Sequence, residues 1–513
     1  MLLKSTASQT ILSEPDYRVG IISFTDPRSD VEFVEKREEY IKQCHTDLVT
    51  KLQQNDFEVI DPQKTRKNKI FGINSLSQID EFQQHFIREK ISALIIGCFA
   101  WNEPNVPLAL AKNLDVPIGL VTRNNPLWPG VTAIASTGAS FWESSFSYQV
   151  KNHARFLLPR EDSIESILPW LKAACAIDHL KRGKLLLWGG SPALNMEHLN
   201  DDIPYLKRFI IGDIESQDQY MLVKYAEKVL QQNPDRILKF KNWLIMNGCK
   251  IIFDKRMITE EILHKQIALY LAGKDILNDF HSKGERIIGS SIKCQPELSV
   301  EYGITPCLLP AFLPFSEDHE GRKPVIPTVC EGDIKGLLTS AILYSLNKSI
   351  PPLFGDIKVI SNEYFIIANC GAASAYYAAL TDDLKKTLSN SHIEPQCQGV
   401  AGGAFGYHTP ASKGDATYVR ICRIDGNYIL QYGIGKIVPI KEKQEFGWGT
   451  TWPHTAVQIK VKPDLFIKAI GTNHLSLTLG NFQDELVEIS KMLDIPIVRL
   501  DNEESLQNFL SIH

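Results

Sequence analysis

Three residues in the second half of the chain have side chains that commonly bind metal ions. Glu331 follows the apolar run 324–330 and precedes the apolar run 337–346, so we expect it at the carboxyl end of a strand, before a helix. Asp356 is predicted to open the next strand, and His474 follows much later in an Asn-His pair. Two carboxylates and one imidazole suit a hard-to-borderline cation such as Mn²⁺ or Co²⁺, and leave coordination positions open for substrate oxygens.

Each of these residues also has an ordinary structural explanation. A glutamate at a helix start can face solvent, an aspartate can shape a turn, and a histidine can be a hydrogen-bonded core residue. Two further carboxylates are rival ligands: Asp333, two residues after Glu331, and Glu297. Asp333 is explained more simply as a helix-start residue, and Glu297 as a surface or substrate-side carboxylate. Spacing alone therefore leaves the ligand set open.

The elements of the first third of the chain are typical of an α/β domain. Short apolar runs at 17–24, 91–98 and 116–122 alternate with helical patterns, which predicts βαβ units and a parallel sheet. Arg28 and Trp101 follow two of these strands. We expect them at carboxyl ends of strands, where open α/β sheets keep their ligand crevices.

The rest of the chain divides into two further regions. A second α/β pattern begins near residues 174–182, and from about Asp356 short alternating segments follow one another between Gly- and Pro-bearing turns. We therefore predict two Rossmann-like α/β domains with parallel sheets followed by a β-rich, barrel-like domain. Their predicted bounds are 1–175, 176–355 with Glu331, and 356–513 with Asp356 and His474.

The composition is that of an ordinary folded protein: 513 residues, 44% hydrophobic and 22% charged. A net charge of −5 without a long Lys/Arg tract argues against nucleic acid as a partner. The N-terminus has no leader pattern and the longest apolar runs are too short to cross a bilayer, so we expect a cytoplasmic protein with no membrane partner. The ten cysteines form no CxxC pair. We expect Cys294, Cys330 and Cys370 not to bind metal, because an oxygen-rich site favours harder ligands.

The order and local context of the three candidate ligands resemble the L-fucose isomerase branch of the L-fucose/L-arabinose isomerase superfamily. In that family a strand ends in a metal-binding Glu, followed by Xaa-Asp and a Gly-containing helix, and an apolar segment about one helix later ends in a metal-binding Asp. Glu331 in Cys-Glu-Gly-Asp and Asp356, 25 residues on, match this pattern. Asn473-His474 before a Leu- and Thr-rich strand matches the late metal-binding imidazole, and the Trp-rich turn 448–454 also resembles the family.

The resemblance implies a metal-dependent aldose-ketose isomerase that acts on a pentose, a 6-deoxyhexose or a related modified sugar through an enediol or enediolate. It implies Mn²⁺, with Co²⁺ or Mg²⁺ as alternatives, held by Glu331, Asp356 and His474, with the two carboxylates as the proton-transfer pair. It also implies a homo-oligomer, a trimer or a hexamer. A sugar site needs directional hydrogen bonds and an aromatic face. Our candidates for these contacts are Gln295, Trp448, Trp452, His454 and Asn473, with Arg28 and Trp101 reaching a neighbouring subunit's site.

The sequence departs from the family at two positions near the expected sugar site. Relatives often have Trp-Pro-Glu where this chain has Gln295-Pro-Glu297, and some have His-Cys-Gly where it has Asn369-Cys-Gly371. The sugar therefore cannot be inherited from the family. Two alternatives stay open: another metal-dependent sugar enzyme on this scaffold, such as an epimerase or an isomerase of a sulfonated or otherwise modified sugar, and a non-catalytic sugar-binding protein without the metal.

Overall fold

The computed structural model describes residues 14–28, 33–66, 69–159, 163–190, 192–441, 446–450 and 452–512. Residues 1–13, in which no leader is expected, lie outside this part of the chain. The protein divides into two compact units. The N-terminal unit comprises Pro15–His179 and Asp484–Met492, and the C-terminal unit comprises Leu180–Gln483 and Leu493–His513.

The N-terminal unit is built on a five-stranded sheet in the order β2-β1-β3-β4-β5, with parallel neighbours throughout. Its central strands are continuous apolar runs buried on both faces, as in a sheet covered by helices on each side. The predicted parallel sheet is thus confirmed. Its elements are β1 Arg18–Ser23, α1 Val34–Gln54, β2 Glu58–Ile60, α2 Ile79–Glu89, β3 Ala93–Gly97, α3 Asn105–Ala111, β4 Ile118–Arg123, α4 Gly130–Ser144, α5 Tyr148–Lys151, β5 Ala154–Leu158 and α6 Leu168–Lys181.

The C-terminal unit begins with a second parallel sheet, in the order β12-β9-β6-β7. This sheet confirms the second α/β pattern. The elements of this half are β6 Lys184–Trp188, α7 Ile203–Phe209, β7 Asp213–Gln217, α8 Gln219–Gln232, α9 Pro234–Met246, β8 Lys250–Ile251, α10 Glu260–Ser282, β9 Ile287–Ile292, α11 Leu308–Phe312, β10 Glu317–Asp318, β11 Gly321–Arg322, β12 Thr328–Cys330 and α12 Ile334–Leu346.

A strand-rich region follows, as predicted. Its elements are β13 Leu353–Ile360, β14 Tyr364–Ala368, α13 Leu384–Ser389, β15 His392–Pro395, β16 Gly403–Gly406, β17 Ala416–Ile424, β18 Asn427–Gly435, β19 Ile437–Val438, β20 His454–Gln458, α14 Pro463–Ala469, β21 His474–Leu479, β22 Ile497–Arg499 and α16 Glu503–Ile512. Helix α15 Gln483–Leu493 interrupts this run and lies almost entirely in the N-terminal unit. Eight strands form one sheet in the order β19-β20-β14-β13-β21-β17-β18-β22, antiparallel except for the last pair. Within the described residues this sheet keeps two edge strands and is not a closed barrel.

The predicted boundary near residue 355 lies inside the C-terminal unit. Strand β8, from before that boundary, pairs in parallel with β15, from after it. Helix α12 is buried along its whole length, as expected of a helix that is apolar on every side. The division into three domains stays a prediction. No helix in the described ranges is both long and apolar enough to cross a membrane.

A polar cluster beside α10 bears on stability. Asp318 is fully buried and accepts hydrogen bonds from Lys274 Nζ and Tyr270 Oη, both at 2.6 Å. Glu320 is about one-third exposed and accepts from Arg236 Nε at 2.7 Å and from Lys274 Nζ at 2.8 Å. Burial acts to raise the pKa of Glu320, but these two cations outweigh it and lower the pKa to about 2.

Candidate functional site

Glu331 lies where the parallel sheet meets helix α12. It follows the last residue of β12 and has a left-handed backbone with φ 65°, and the next residue, Gly332, has φ 69°. A left-handed glutamate is strained, and such residues persist mainly where the surrounding structure requires them, often at functional sites. The carbonyl of Glu331 accepts a hydrogen bond from the Ala193 N–H at 2.8 Å, which holds this turn.

Asp356 and His474 are brought together by strand register. They are direct partners in the antiparallel pair β13–β21. Directly opposite residues of an antiparallel pair project from the same face of the sheet with close Cβ atoms. A slip of one residue would place one of the two side chains on the other face. The register therefore decides that this carboxylate and this imidazole share a site.

The potential ligand atoms of Glu331, Asp356 and His474 all lie within 4.8 Å of one another. His474 Nε2 is 3.0 Å from Glu331 Oε2 and 3.3 Å from Asp356 Oδ1. These approaches lack hydrogen-bond geometry, so this buried nitrogen has no hydrogen-bond partner among the described residues. A buried nitrogen that faces two carboxylate oxygens is stabilised by a cation placed between them. The donor set therefore fits a divalent metal ion.

The other nitrogen of His474 is held by Asp333. His474 Nδ1 donates to Asp333 Oδ2 at 2.9 Å, and Arg420 donates to both oxygens of the same carboxylate, at 2.6 and 3.0 Å. All three side chains are buried. This arrangement leaves Nε2 as the free ligand nitrogen, the usual carboxylate–histidine–metal pattern. Asp333 is also the predicted helix-start residue, since it accepts from the Gly336 N–H at 2.7 Å and caps α12.

The charges around His474 favour a positive charge at this position. Burial acts against the imidazolium, but Asp356, Asp333 and Glu331 together raise the pKa of His474 well above its usual value. Burial likewise acts to raise the pKa of Asp333, whereas Arg420 and His474 lower it far below the usual range. The carboxylate of Asp333 therefore stays charged, and the three carboxylates attract a cation to Nε2.

Asn473 positions one of the carboxylates. Its Nδ2 donates to Asp356 Oδ1 at 2.8 Å, and its Oδ1 lies 2.8 Å from His198 Nε2. Asn473 is predicted to contact the sugar; the structure gives it this hydrogen bond to the candidate metal ligand. His198 is a site residue that sequence reasoning missed, because it lies 275 residues away in the chain with no motif around it.

Lys358 is a second residue that sequence reasoning missed. It is the extra residue of a β-bulge in β13, two positions after Asp356. Bulges are common next to active sites, where they redirect a side chain. Lys358 Nζ lies 2.9 Å from His454 Nε2 and donates to the Trp448 carbonyl at 2.7 Å and to the Phe446 carbonyl. Burial lowers the pKa of this ammonium group.

The predicted aromatic turn lies next to Lys358. Trp448 is exposed, Trp452 is buried, and their rings meet edge to face at 4.6 Å. His454 is fully buried with Nδ1 2.7 Å from the Trp452 carbonyl, and burial, with the Lys358 charge adding to it, lowers its pKa to about 3. His454 is thus neutral, with both nitrogens occupied. Thr451, in the same turn, lies outside the described residues.

The remaining candidates have other partners. Gln295 Nε2 donates to the Gln398 carbonyl at 2.5 Å, and Glu297 pairs with Lys293 at 2.6 Å. Asn369 Nδ2 donates to Cys330 Sγ at 3.2 Å, beside Glu331. Of the two rival ligands, Asp333 therefore lies behind His474 instead of joining the triad, and Glu297 is engaged by a lysine.

Arg28 and Trp101 belong to the N-terminal unit. Arg28 is largely exposed and donates through Nε to Asp26 Oδ1 at 2.8 Å, just beyond the end of β1. Trp101 is half-buried and follows β3. Both occupy the carboxyl edge of the parallel sheet, as predicted. Their contribution to a neighbouring subunit's site stays a prediction.

Comparison with known proteins supports the predicted resemblance. Residues 367–501 match the family model described as L-fucose isomerase, C-terminal domain. This match covers about a quarter of the chain. It is also similar to two proteins named sulfoquinovose isomerase, from Priestia aryabhattai and Priestia megaterium (strain ATCC 12872 / QMB1551), each 23% identical over 225 residues. The match spans 42% of this chain and 44% of each relative, less than half of the length of either.

Proposed function

We propose that this protein is a metal-dependent aldose-ketose isomerase that acts on a pentose, a 6-deoxyhexose or a related modified sugar. The observation that carries the proposal is the triad of Glu331, Asp356 and His474, whose ligand atoms lie within 4.8 Å of one another on a buried, charge-compensated support. His474 lies within the stretch that matches the model of the L-fucose isomerase C-terminal domain, which is consistent with the proposal. The family resemblance further leads us to propose a cytoplasmic homo-oligomer, a trimer or a hexamer.

The metal would be Mn²⁺ in the first instance, with Co²⁺ or Mg²⁺ as alternatives. Two carboxylates and one imidazole are too few ligands for these ions, so positions remain for two oxygens of a sugar. When bound, the ion supplies Lewis acidity that stabilises negative charge on the substrate's O1 and O2. Asp333 and Arg420 keep the His474 ring oriented for this role.

The two carboxylates of the triad would move the proton. In the aldose-to-ketose direction one carboxylate takes the hydrogen of C2 as a proton, and the electron pair of that bond forms the C1=C2 double bond. The π pair of the C1 carbonyl moves to O1, which takes up a proton to give the enediol. Return of a proton to C1, with loss of the O2 proton, then gives the C2 carbonyl. Asn473 holds Asp356 by its hydrogen bond to Oδ1, which leaves Oδ2 for the substrate. The order in which the two carboxylates act depends on the configuration at C2.

One alternative has a specific observation in its favour. The two relatives are named for a sulfonated sugar, which supports a modified-sugar isomerase on this scaffold. A non-catalytic sugar-binding protein, by contrast, would have no need of three carboxylates and an arginine arranged around one imidazole. We therefore keep isomerisation as the proposed reaction and leave the sugar to experiment.

The test is a substrate panel of pentoses, 6-deoxyhexoses and anionic sugars, assayed with Mn²⁺ and with a chelator. Exchange of the C2 hydrogen with solvent deuterium is followed, because an enediol route permits exchange and a hydride shift does not. We expect Glu331→Gln and Asp356→Asn each to lower turnover by about 10² or more at checked metal occupancy. Full activity in a metal-loaded variant that carries both Glu331→Gln and Asp356→Asn, or unchanged activity after complete metal removal, would refute the proposed function.

A further inference from the structure

Lys358 is a positive charge whose contacts among the described residues are all with neutral groups. Its Nζ contacts three groups that can only accept: two backbone carbonyls and the Nε2 of His454. His454 Nε2 must accept, because Nδ1 of this neutral ring is the nitrogen that faces the Trp452 carbonyl. Three acceptors require three N–H donors, so the side chain is an ammonium group. Among the described residues, no carboxylate lies within ion-pair distance of it.

Strand register places this charge on the same face as the metal triad. Asp356 pairs with Ala368, and Ala368 pairs with His454, so the three residues form one row across β13, β14 and β20. Two strand spacings separate Asp356 from His454, which is about 10 Å. The Nζ of Lys358 contacts this row at the Nε2 of His454. An open-chain hexose whose O1 and O2 lie at the triad can extend its far end to this position.

Within the described part of the site, Lys358 is the charge that is left unbalanced. A bound divalent ion would neutralise Glu331 and Asp356, and Arg420 neutralises Asp333. His454 is neutral, and the described residues of the aromatic turn contact Lys358 through two carbonyl dipoles and the Trp452 ring, which lies 5.6 Å from Nζ. A neutral sugar would leave the ammonium uncompensated, and a partly buried charge without a partner is unfavourable. A substrate that carries its own anion would complete the ion pair.

We propose that Lys358 binds an anionic group at the end of the sugar remote from C1 and C2, so that the preferred substrates are anionic sugars. This inference rests on the proposed function and deepens it by assigning the substrate class. The bond from Nζ to the Trp448 carbonyl is solvent-exposed, so an oxygen of the anion can replace that carbonyl. The two relatives are named for a sugar that bears a sulfonate, which agrees with this assignment.

The experiment compares sugars that differ only in the group at C6. The metal-loaded protein is assayed with a 6-deoxyhexose, the corresponding 6-sulfonate and the hexose 6-phosphate, in several ring configurations. We expect the better anionic sugar to have a kcat/KM about tenfold to a hundredfold above that of the neutral sugar, the range for a hydrogen bond to a charged group. Lys358→Met should abolish this preference, and Lys358→Arg should retain part of it.

Lys358 also holds the aromatic turn in place, so the experiment must distinguish loss of the positive charge from loss of this structural support. A loosened turn lowers kcat/KM for neutral and anionic sugars alike, whereas loss of the charge changes only their ratio. Trp448→Ala should therefore leave the ratio near that of the wild type. Lys441→Met is the matched control, since this lysine is exposed and already pairs with Glu363. Neither activity nor ratio should change in that variant.

A binding measurement separates the two proposals. Calorimetry with the metal-loaded protein records the affinity for each sugar whether or not the sugar is isomerised. Tighter binding of the anionic sugar that disappears in Lys358→Met supports the inference even if no isomerisation occurs, in which case only the proposed function fails. Equal or preferred binding and turnover of the neutral sugar, or an unchanged ratio in Lys358→Met, would overturn the inference while isomerisation itself stands.

Discussion

Replacement of Asp333 by Asn tests the support behind the candidate metal site. In the wild type one oxygen of Asp333, Oδ2, accepts from both His474 Nδ1 and Arg420. Arg420 donates at both oxygen positions and so does not decide how an amide would turn. The amide oxygen is expected at the Oδ1 position, because the Gly336 N–H there can only donate, whereas His474 can accept by changing its tautomer. The NH₂ group then faces His474, which must accept through Nδ1. The proton of the neutral ring moves to Nε2, where it blocks the lone pair that would bind the metal.

The expected magnitudes follow from these contacts. Supporting carboxylates behind a ligand histidine typically contribute 10- to 100-fold to metal affinity, so we expect Asp333→Asn to weaken Mn²⁺ binding by about that factor. The variant also leaves the fully buried Arg420 without a counter-charge. The cost of breaking a buried pair in this way is about 3–5 kcal/mol, a large share of the stability of an ordinary protein. Unfolding of the metal-free variant should therefore begin at a clearly lower temperature.

The assay is Mn²⁺ titration by calorimetry at a temperature where the variant is folded, with urea unfolding measured in parallel. Asp318→Asn is the matched control, because Asp318 is equally buried and is paired with a lysine away from the triad. That variant should lose stability but keep its Mn²⁺ affinity. If Asp333→Asn bound Mn²⁺ as tightly as the wild type, the histidine orientation would not depend on this carboxylate and the reasoning would be wrong.

Three further predictions concern the same unit. His474→Ala should act mainly through metal affinity, so excess Mn²⁺ should restore part of the activity in a metal titration. In Gly336→Ala the new Cβ would lie 2.5 Å from Asp333 Oδ2. We therefore expect the free energy of unfolding in urea to fall by about 1–3 kcal/mol and Mn²⁺ binding to weaken. Unchanged values of both would contradict the packing argument. Glu320 has a folded-state pKa of about 2 against its ordinary 4.5, so its ion pairs stabilise the fold above about pH 4.5 and this contribution disappears as the pH falls toward 2. With allowance for the partial exposure of Glu320, Glu320→Gln should lower the free energy of unfolding in urea by about 1 kcal/mol at pH 7, and by progressively less below pH 4. A loss of stability that does not depend on pH would show that the ion pairs of Glu320 are not its origin.

The sequence was sufficient to predict the two parallel sheets, the strand-rich region that follows them and, through a family resemblance, the three residues of the candidate triad. Runs such as that of β3 are buried on both faces, and this burial leaves a continuous apolar pattern that can be recognised without a structure. The triad was predicted because the local context of Glu331, Asp356 and His474 resembles that of a known family; the residue types and spacing alone left the ligand set open. That context consists of short-range features: a strand end, a helix start and an Asn-His pair. Their roles as ligands and acid–base groups are still predictions.

Only the tertiary structure decided what surrounds the triad. Asp333 has a complete local explanation as the cap of α12, so its sequence position carries no sign of the bond to His474, 141 residues away. Arg420 offers a weak signal, a charge in the otherwise apolar first part of β17, but its partner lies 87 residues earlier. The extra residue in β13 directs Lys358 toward His454, and no local pattern marks it. Strand register and bulges depend on pairing between distant segments, so side-chain contacts of this kind become defined only when the sheet assembles.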